Sequence, residues 1–413
     1  MNANIKLNEY IKAHENNVAI IIGLYVNGYH IVKSLANNNI PLVAIDFQKK
    51  CGIYSKYINQ KIIIDYSQDE LKLLELLLDI GKQLNKKGVL FPTHDHHTKL
   101  FSKYYTKLEK YFFIPVNPDT LPLVLSKEYQ YNICNEIGIP YPKSYFLRTT
   151  EDVDNLMKEV DSLMYPVIIK PFSRANNSAL GNIFRVKEIN SKHELITFSK
   201  LLYDNISTGF LVSEVVPGEP DNIWAYTGYC DKNSNIVAGW TGRKLTQYPY
   251  YFGVFSTAKY EKNLIVEEQG KRLLKAFKHI GIGEPEFKYD YRDNKYKLME
   301  TNPRYMMWHG VGKIGGVNLP LIHYYHITKQ FDKFNRINKI QENNTAHLVF
   351  MFHEISNIFK EKPKQKYIKN AIKAIFLPNK EWAIFDIKDL GPFIHFGGIT
   401  KEVLKYFYNK IRK

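Results

Sequence analysis

Residues 286–304, E-F-K-Y-D-Y-R-D-N-K-Y-K-L-M-E-T-N-P-R, limit what this chain can fold into more than any other stretch. Two extended runs flank the polar turn R-D-N, which is the pattern of a β-hairpin. The second run ends in a dense polar cluster of Glu300, Asn302 and Arg304. Residues two apart on a strand share a face, so Glu300 and Asn302 lie together, and Arg304 joins them if the strand persists past Pro303. Parity alone does not fix how Glu286 faces them; if the two runs pair, both carboxylates reach one cavity. Two carboxylates and an amide are the oxygen donors Mg2+ takes beside phosphate oxygens. A salt-bridged sheet edge is the rival reading.

Such a hairpin needs a core around it. With 413 residues and 45% apolar content, the chain exceeds one ordinary domain and suggests two or three. Cys51, Cys134 and Cys230 are scattered, with no paired metal-ligand spacing, as in a chain kept reduced. The N-terminus lacks a basic segment followed by an apolar core, and Val18–Leu24 is too short to cross a bilayer. A soluble, cytoplasmic protein is expected. The net charge of +16 is spread as single lysines, a lysine-rich surface that argues against a nucleic-acid partner. The stretch E-K-P-K-Q-K-Y-I-K-N-A-I-K-A-I-F runs from a basic patch into an amphipathic helix starting near Lys364. It is read as a lid or docking helix, with a membrane-surface helix as the alternative.

The N-terminal third alternates strand and helix patterns. Val18–Ile22, P-L-V-A-I-D, 61–64 and Gly88–Phe91 read as strands and 71–84 as a helix, the order of an open, parallel α/β domain. Gly23 and Gly28 do not make G-x-G-x-x-G; only Asp46, at the end of the second strand, supports a dinucleotide site. Ligands of open sheets bind beyond the carboxyl ends of the strands, which makes Asn27, Thr93, Asp95, His96 and His97 candidates for a small substrate. The H-D-H-H run is not read as a metal site, because adjacent side chains diverge.

Several later segments suit phosphate chemistry. Ser126 is the expected N-cap of a helix that opens with Lys127, where a lysine gains nothing from the helix dipole. Y-P-V-I-I-K-P is a strand whose exit carries Lys170. The loop from Ser173 through Ser178 to Gly181 is polar and short in side chain, able to fold backbone N–H groups over phosphates, although it is no P-loop. In E-V-V-P-G-E, a strand edge at Glu214, Val215 and Val216 can meet an adenine, and Glu214 or Glu219 can accept from its amine or from a ribose.

In this order the segments resemble an ATP-grasp enzyme over about residues 115–325, preceded by a unit similar to the pre-grasp domain of that superfamily. The resemblance implies an α/β protein with two α+β lobes clasping the nucleotide, after an open α/β domain over 1–114. The small lobe would span about 125–214, the large lobe begin near 215, and an extension over 326–413 complete or cover it. It implies Lys127 and Lys170 on phosphates, Ser173–Gly181 as the lid, Glu214–Val216 at adenine and Glu219 at ribose. Arg243 is the basic residue beside the transferred phosphate, Glu286, Glu300 and Asn302 bind magnesium, and Arg304 closes E-x-N-x-R. The phrasing around 287–304 is most similar to predicted carboxylate-amine ligases and D-aspartate ligase-like proteins; the lid departs from the glycine-rich pattern, with only Gly181.

These roles imply an enzyme that uses ATP and Mg2+, with Mn2+ as a substitute, to join a carboxylate to an amine through an acyl phosphate, with Lys170, Arg243 and Arg304 stabilising the moving charge. The small-molecule substrates would include an amino acid and a cell-envelope precursor. A homodimer is the commonest assembly. Asp290 is read as solvating the hairpin, with an acid behind the metal ligands as the alternative, and Trp308 and His309 as bordering the acceptor pocket or as core. G-V-G-K-I-G-G-V-N-L-P reads as a loop before a helix over Leu319–Tyr325. In the tail, H-L-V-F-M-F-H-E and W-A-I-F-D-I-K-D-L read as strands, and I-K-N-A-I-K-A-I-F and Glu402–Ile411 as helices. Two other classes stay open: an NAD-dependent oxidoreductase built on Asp46 and the Gly23 turn, and a non-catalytic binder of anionic polymers or nucleic acid.

Overall fold

Continuous apolar runs four or five residues long suit strands covered on both faces. They form β1 (Ala19–Ile22), β2 (Leu42–Asp46) and β4 (Gly88–Pro92), all fully buried, beside the more exposed β3 (Gln60–Ile63) and the short β5 (Phe112–Phe113), in a computed structural model that describes residues 6–66, 69–172, 186–250 and 253–396. Their order is β3-β2-β1-β4-β5, all parallel. The order reverses between β1 and β4, so the crevice for a ligand opens beyond the ends of those two strands. Gly23 turns the chain there at φ +85°, and a Cβ on it would stand 2.2 Å from the Thr93 hydroxyl. The glycine serves a left-handed turn and a tight strand crossing.

The chain divides into two units. Unit one holds residues 1–133, 219–287 and 300–413; unit two holds 134–218 and 288–299, the latter being the tip of the 286–304 hairpin. Unit two contains a four-stranded antiparallel sheet of β6 (Ser144–Leu147), β7 (Val167–Pro171), β8 (Lys187–Ile189) and β9 (Phe210–Glu214), ordered β6-β9-β7-β8. Helices Thr150–Lys158 and Lys192–Asp204 cover it, closing a core of Val153, Leu156, Ile169, Leu195, Leu202 and Val212. The first of them starts at a capping box, Thr149 with Asp152.

The larger sheet runs through β10 (Ile223–Cys230), β11 (Ile236–Tyr248), β12 (Val254–Tyr260), β13 (Gly281–Asp290), β14 (Lys295–Asn302), β15 (Ala346–Val349) and β16 (Lys380–Trp382), in the order β14-β13-β10-β11-β12-β15-β16. In unit one a single core joins Ile21, Ile31 and Leu35 to Trp240, Tyr260, Trp308, Val311 and Tyr324. Its cysteines, Cys51 and Cys230, are buried, as is Cys134 of unit two, and burial pushes all three thiols up to about 12.

Several local expectations change. The run G-V-G-K-I is a helix, Gly310–Ile314, not a loop. Its glycines allow close contact: a Cβ at Gly312 would meet the Trp240 indole nitrogen at 2.4 Å. H-L-V-F-M-F-H-E breaks after Val349, and Met351–Lys360 is a helix that buries His353 and Glu354. Of the strand expected through W-A-I-F-D-I-K only Trp382 is in a strand, as the last residue of the three-residue β16. Ser173, Ser178 and Gly181 of the expected lid, and Glu402–Ile411, lie outside the described residues.

Candidate active site

Strand alternation in unit one places Glu284 and Glu286 on one face of β13, and Glu300 and Asn302 on one face of β14. Lys244 of β11 donates from Nζ to Glu286 Oε2 at 2.7 Å, with both side chains almost wholly buried. Burial alone would lower the Lys244 pKa, but the fields of Glu286, Glu284 and Glu300 outweigh it and hold the ammonium above its usual value. Glu286 shows the complementary effect. Burial raises its pKa; Lys244 opposes this, while Glu300 and Glu284 add to it. Three carboxylates thus act on one ammonium, and negative charge is in surplus.

The rim of this cluster is held by hydrogen bonds. Glu284 Oε2 lies 2.5 Å from His309 Nε2, and His309 Nδ1 accepts the Met306 N–H at 3.2 Å. The second bond makes Nε2 the protonated nitrogen, so it donates to the carboxylate. Glu284 Oε1 and Asn302 Nδ2 are buried with no hydrogen-bond partner among the described residues. Arg304 Nε bonds Asp95 Oδ1 at 2.6 Å, and its Nη2 lies 3.4 Å from Asn302 Oδ1. Asp95 opens the helix Asp95–Lys103 after β4, so the signature strand meets the crevice of the parallel sheet. There burial pushes His94 down to about 4, and lowers His96 and His97 as well.

Lys127 begins the helix Lys127–Glu136, whose Gln130 accepts the Thr301 N–H at 2.8 Å. Residues three apart lie on one helix face, so Lys127 is carried on the face docked to β14. Arg243 is placed differently from the expectation. It is adjacent to Lys244 and turns to the opposite face of β11, where Nε bonds Glu261 Oε2 at 2.7 Å and the guanidinium covers the Trp224 ring. Lys244 is the cation that reaches the acids. Trp308 is core, 5.4 Å from Trp240 between ring centroids. Glu219 accepts from the Tyr250 hydroxyl at 2.6 Å and pairs with Lys366, in a cavity of about 390 Å3 that also holds Asp221 and Lys373.

Unit two carries Lys170, half-buried at the exit of β7. Its Glu214 lines a cavity of about 440 Å3 with Lys143, Lys295 and Lys297, and its Oε1 accepts the Met164 N–H at 2.8 Å. Both backbone groups of Val215 are engaged, its N–H by Pro166 O at 2.9 Å and its carbonyl by Arg292 at 3.1 Å. Val216, the next residue, is buried at 2% exposure. Asp46 is also engaged: its buried carboxylate accepts the Leu24 N–H at 2.6 Å and the Gln48 N–H at 3.3 Å. The acid on which a dinucleotide site rested holds the turn after β1 instead.

No family model matches the chain. A D-aspartate ligase of Enterococcus faecium (strain Aus0004) is 24% identical over 304 residues, which cover 70% of this chain and 72% of that protein. Among solved structures, phosphoribosylglycinamide synthetase from Anaerococcus prevotii superposes with a TM-score of 0.61 at 12% identity, over 81% of this chain and 80% of that one. L-amino acid ligase from Bacillus licheniformis gives 0.57 at 14% identity, over 80% and 79%. The biotin carboxylase domain of Hydrogenobacter thermophilus 2-oxoglutarate carboxylase, solved with MgADP and bicarbonate, gives 0.58 at 16%, over 81% and 74%. The chain has an ATP-grasp-like fold. Within that ATP-grasp-like architecture, the places of Lys244 and Glu284 and the pairing of Asp95 with Arg304 were not expected from the sequence. E-P-E, with two acids two residues apart, carried the signal for Glu284; nothing local in G-R-K-L distinguishes Lys244 from Arg243.

Proposed function

We propose that this protein is an ATP-dependent carboxylate-amine ligase. The observation that carries the reading is the surplus of negative charge where buried Glu284 and Glu286 and exposed Glu300 gather on the buried Lys244. No group of three His, Cys, Asp or Glu among the described residues forms a metal-holding cluster. The donor set is instead two carboxylates, Glu286 and Glu300, with the Asn302 amide, which fits Mg2+ when phosphate oxygens complete the shell. Bound there, Mg2+ or Mn2+ would offset charge on the phosphates.

A substrate carboxylate oxygen attacks the γ-phosphorus of ATP, the bond to the β-phosphate oxygen breaks, and ADP leaves. The amine nitrogen then attacks the acyl carbon, gives up a proton, and expels phosphate as the amide forms. Lys170 and Lys127 bind phosphate, Val216 and Glu214 meet the adenine, and Lys244 and Arg304 stabilise negative oxygens as they move. Arg304 is oriented for this by Asp95. The likeness to a D-aspartate ligase supports an amino acid as one substrate; the other is proposed to be a cell-envelope precursor.

ADP release is measured with Mg2+ over pairs of amino acids, D-aspartate included, and amine acceptors, and product mass is read for each active pair. Glu300→Gln is expected to lower the rate by about 100-fold or more at unchanged melting temperature. Product formation at the wild-type rate by that variant overturns the reading.

A further inference from the structure

We propose that the helix Lys364–Ile375 docks the protein on an anionic lipid surface. The inference stands apart from the ligase reading. The helix contains no acid, and its side chains fall into three sectors at 100° per residue. Tyr367, Ala371 and Ala374 are buried at 1%, 7% and 3% exposure, and the Tyr367 ring meets Tyr250 edge-on. That face anchors the helix to unit one. Beside it runs a second apolar stripe, turned outward: Ile368, Ile372, Ile375 and Phe376 are 42%, 52%, 45% and 79% exposed. Their spacing of four, three and one keeps them on one side of the helix. Lys369, one residue beyond Ile368, and Lys364, one turn before it, border this stripe, and both are exposed. Lys366 and Lys373, seven residues apart, share another side of the helix and line the cavity that holds Glu219 and Asp221, Lys366 lying over the Tyr250 ring.

Four large apolar side chains in a row are unfavourable in water, and a helix already secured by its opposite face has no structural need of them. The charged groups that border them, Lys364 and Lys369, are both cationic, and this selects what can cover the stripe. A second copy of this chain would set lysine rim against lysine rim, at +16 on each partner. An anionic bilayer surface accepts both parts: isoleucine and phenylalanine enter the headgroup boundary while lysine stems reach lipid phosphates.

The test is sedimentation of the full chain with vesicles of phosphatidylcholine, with and without about 30% phosphatidylglycerol, at about 0.05 and about 0.5 M salt. Binding is expected on the anionic vesicles at low salt, at least about tenfold weaker on neutral vesicles or at high salt. The double variant I372S/F376S is expected to lose about tenfold or more of that partition, and K364E/K369E a similar factor. Both alter exposed side chains, and an unchanged melting temperature verifies that the fold is kept. Absence of binding, equal binding to neutral vesicles, or wild-type partition by I372S/F376S each overturns the proposal. So does light scattering that finds a dimer which I372S/F376S dissolves, since a second copy would then cover the stripe.

Discussion

Lys244 is the residue whose removal the acidic cluster should tolerate least. Its ammonium is the cation bonded to Glu286 in surroundings that already disfavour that carboxylate. Lys244→Met strands a buried charge, and a loss of about 3–5 kcal/mol in unfolding free energy is expected from urea titration. Glu286→Gln in the same chain removes the stranded charge, so the double variant should recover much of the loss; strictly additive losses would show that the pair is uncoupled. That Glu300 and Asn302 share a face is legible in the sequence through their parity, because strand geometry is local; Glu286 joins them only through the pairing of the two runs. Arg243 and Lys244 cannot be told apart in that way, because which face of β11 meets β13 is decided by pairing through β10, a non-local fact.

At the scale of elements, the hairpin tip has its own electrostatic lock. Asp290 is fully buried, and takes Arg292 through both oxygens at 2.9 and 2.7 Å and Lys297 at 2.8 Å. It does not solvate the turn, as its place beside R-D-N suggested. Burial would raise its pKa, but the bonds from Arg292 and Lys297 win and hold it well below the carboxylate range. A carboxylate depressed in the folded state adds stability above the unfolded value near 4, and loses it as pH falls further. Asp290→Asn is expected to cost about 3–5 kcal/mol at pH 7 and to flatten the acid limb of the stability curve below about pH 4; an unaltered acid limb would refute the assignment. Elements with a strong local apolar pattern are legible: the continuous runs of β1, β2 and β4 and the amphipathic helix Lys364–Ile375 fall within a residue or so of expectation. The helix Gly310–Ile314 is hidden because its glycines answer to His30 and Trp240, far away in the chain, and β10 because I-W-A-Y-T-G-Y-C shows no clean alternation.

Across the whole molecule, histidine sets the response to acid. His30, His94, His96, His97, His279, His323, His326, His347 and His353 are all lowered from the usual value, in each case first by burial. Between about pH 6.5 and 4 these nine histidines bind more protons in the unfolded chain than in the folded one, and they outnumber the raised carboxyls of Asp46, Glu286 and Glu354, which act in the opposite sense. Stability should be fully present above about pH 6.5 and fall on acidification through that window. Urea midpoints at about pH 7.5, 6 and 5 check this, and a midpoint that rises toward pH 5 would contradict it. The three buried thiols bear on how such experiments can be done. Held near pKa 12 and closed to solvent, they leave almost no thiolate for maleimide or iodoacetamide, so one cysteine introduced on the surface can be tagged with a fluorophore without first stripping out the natural three.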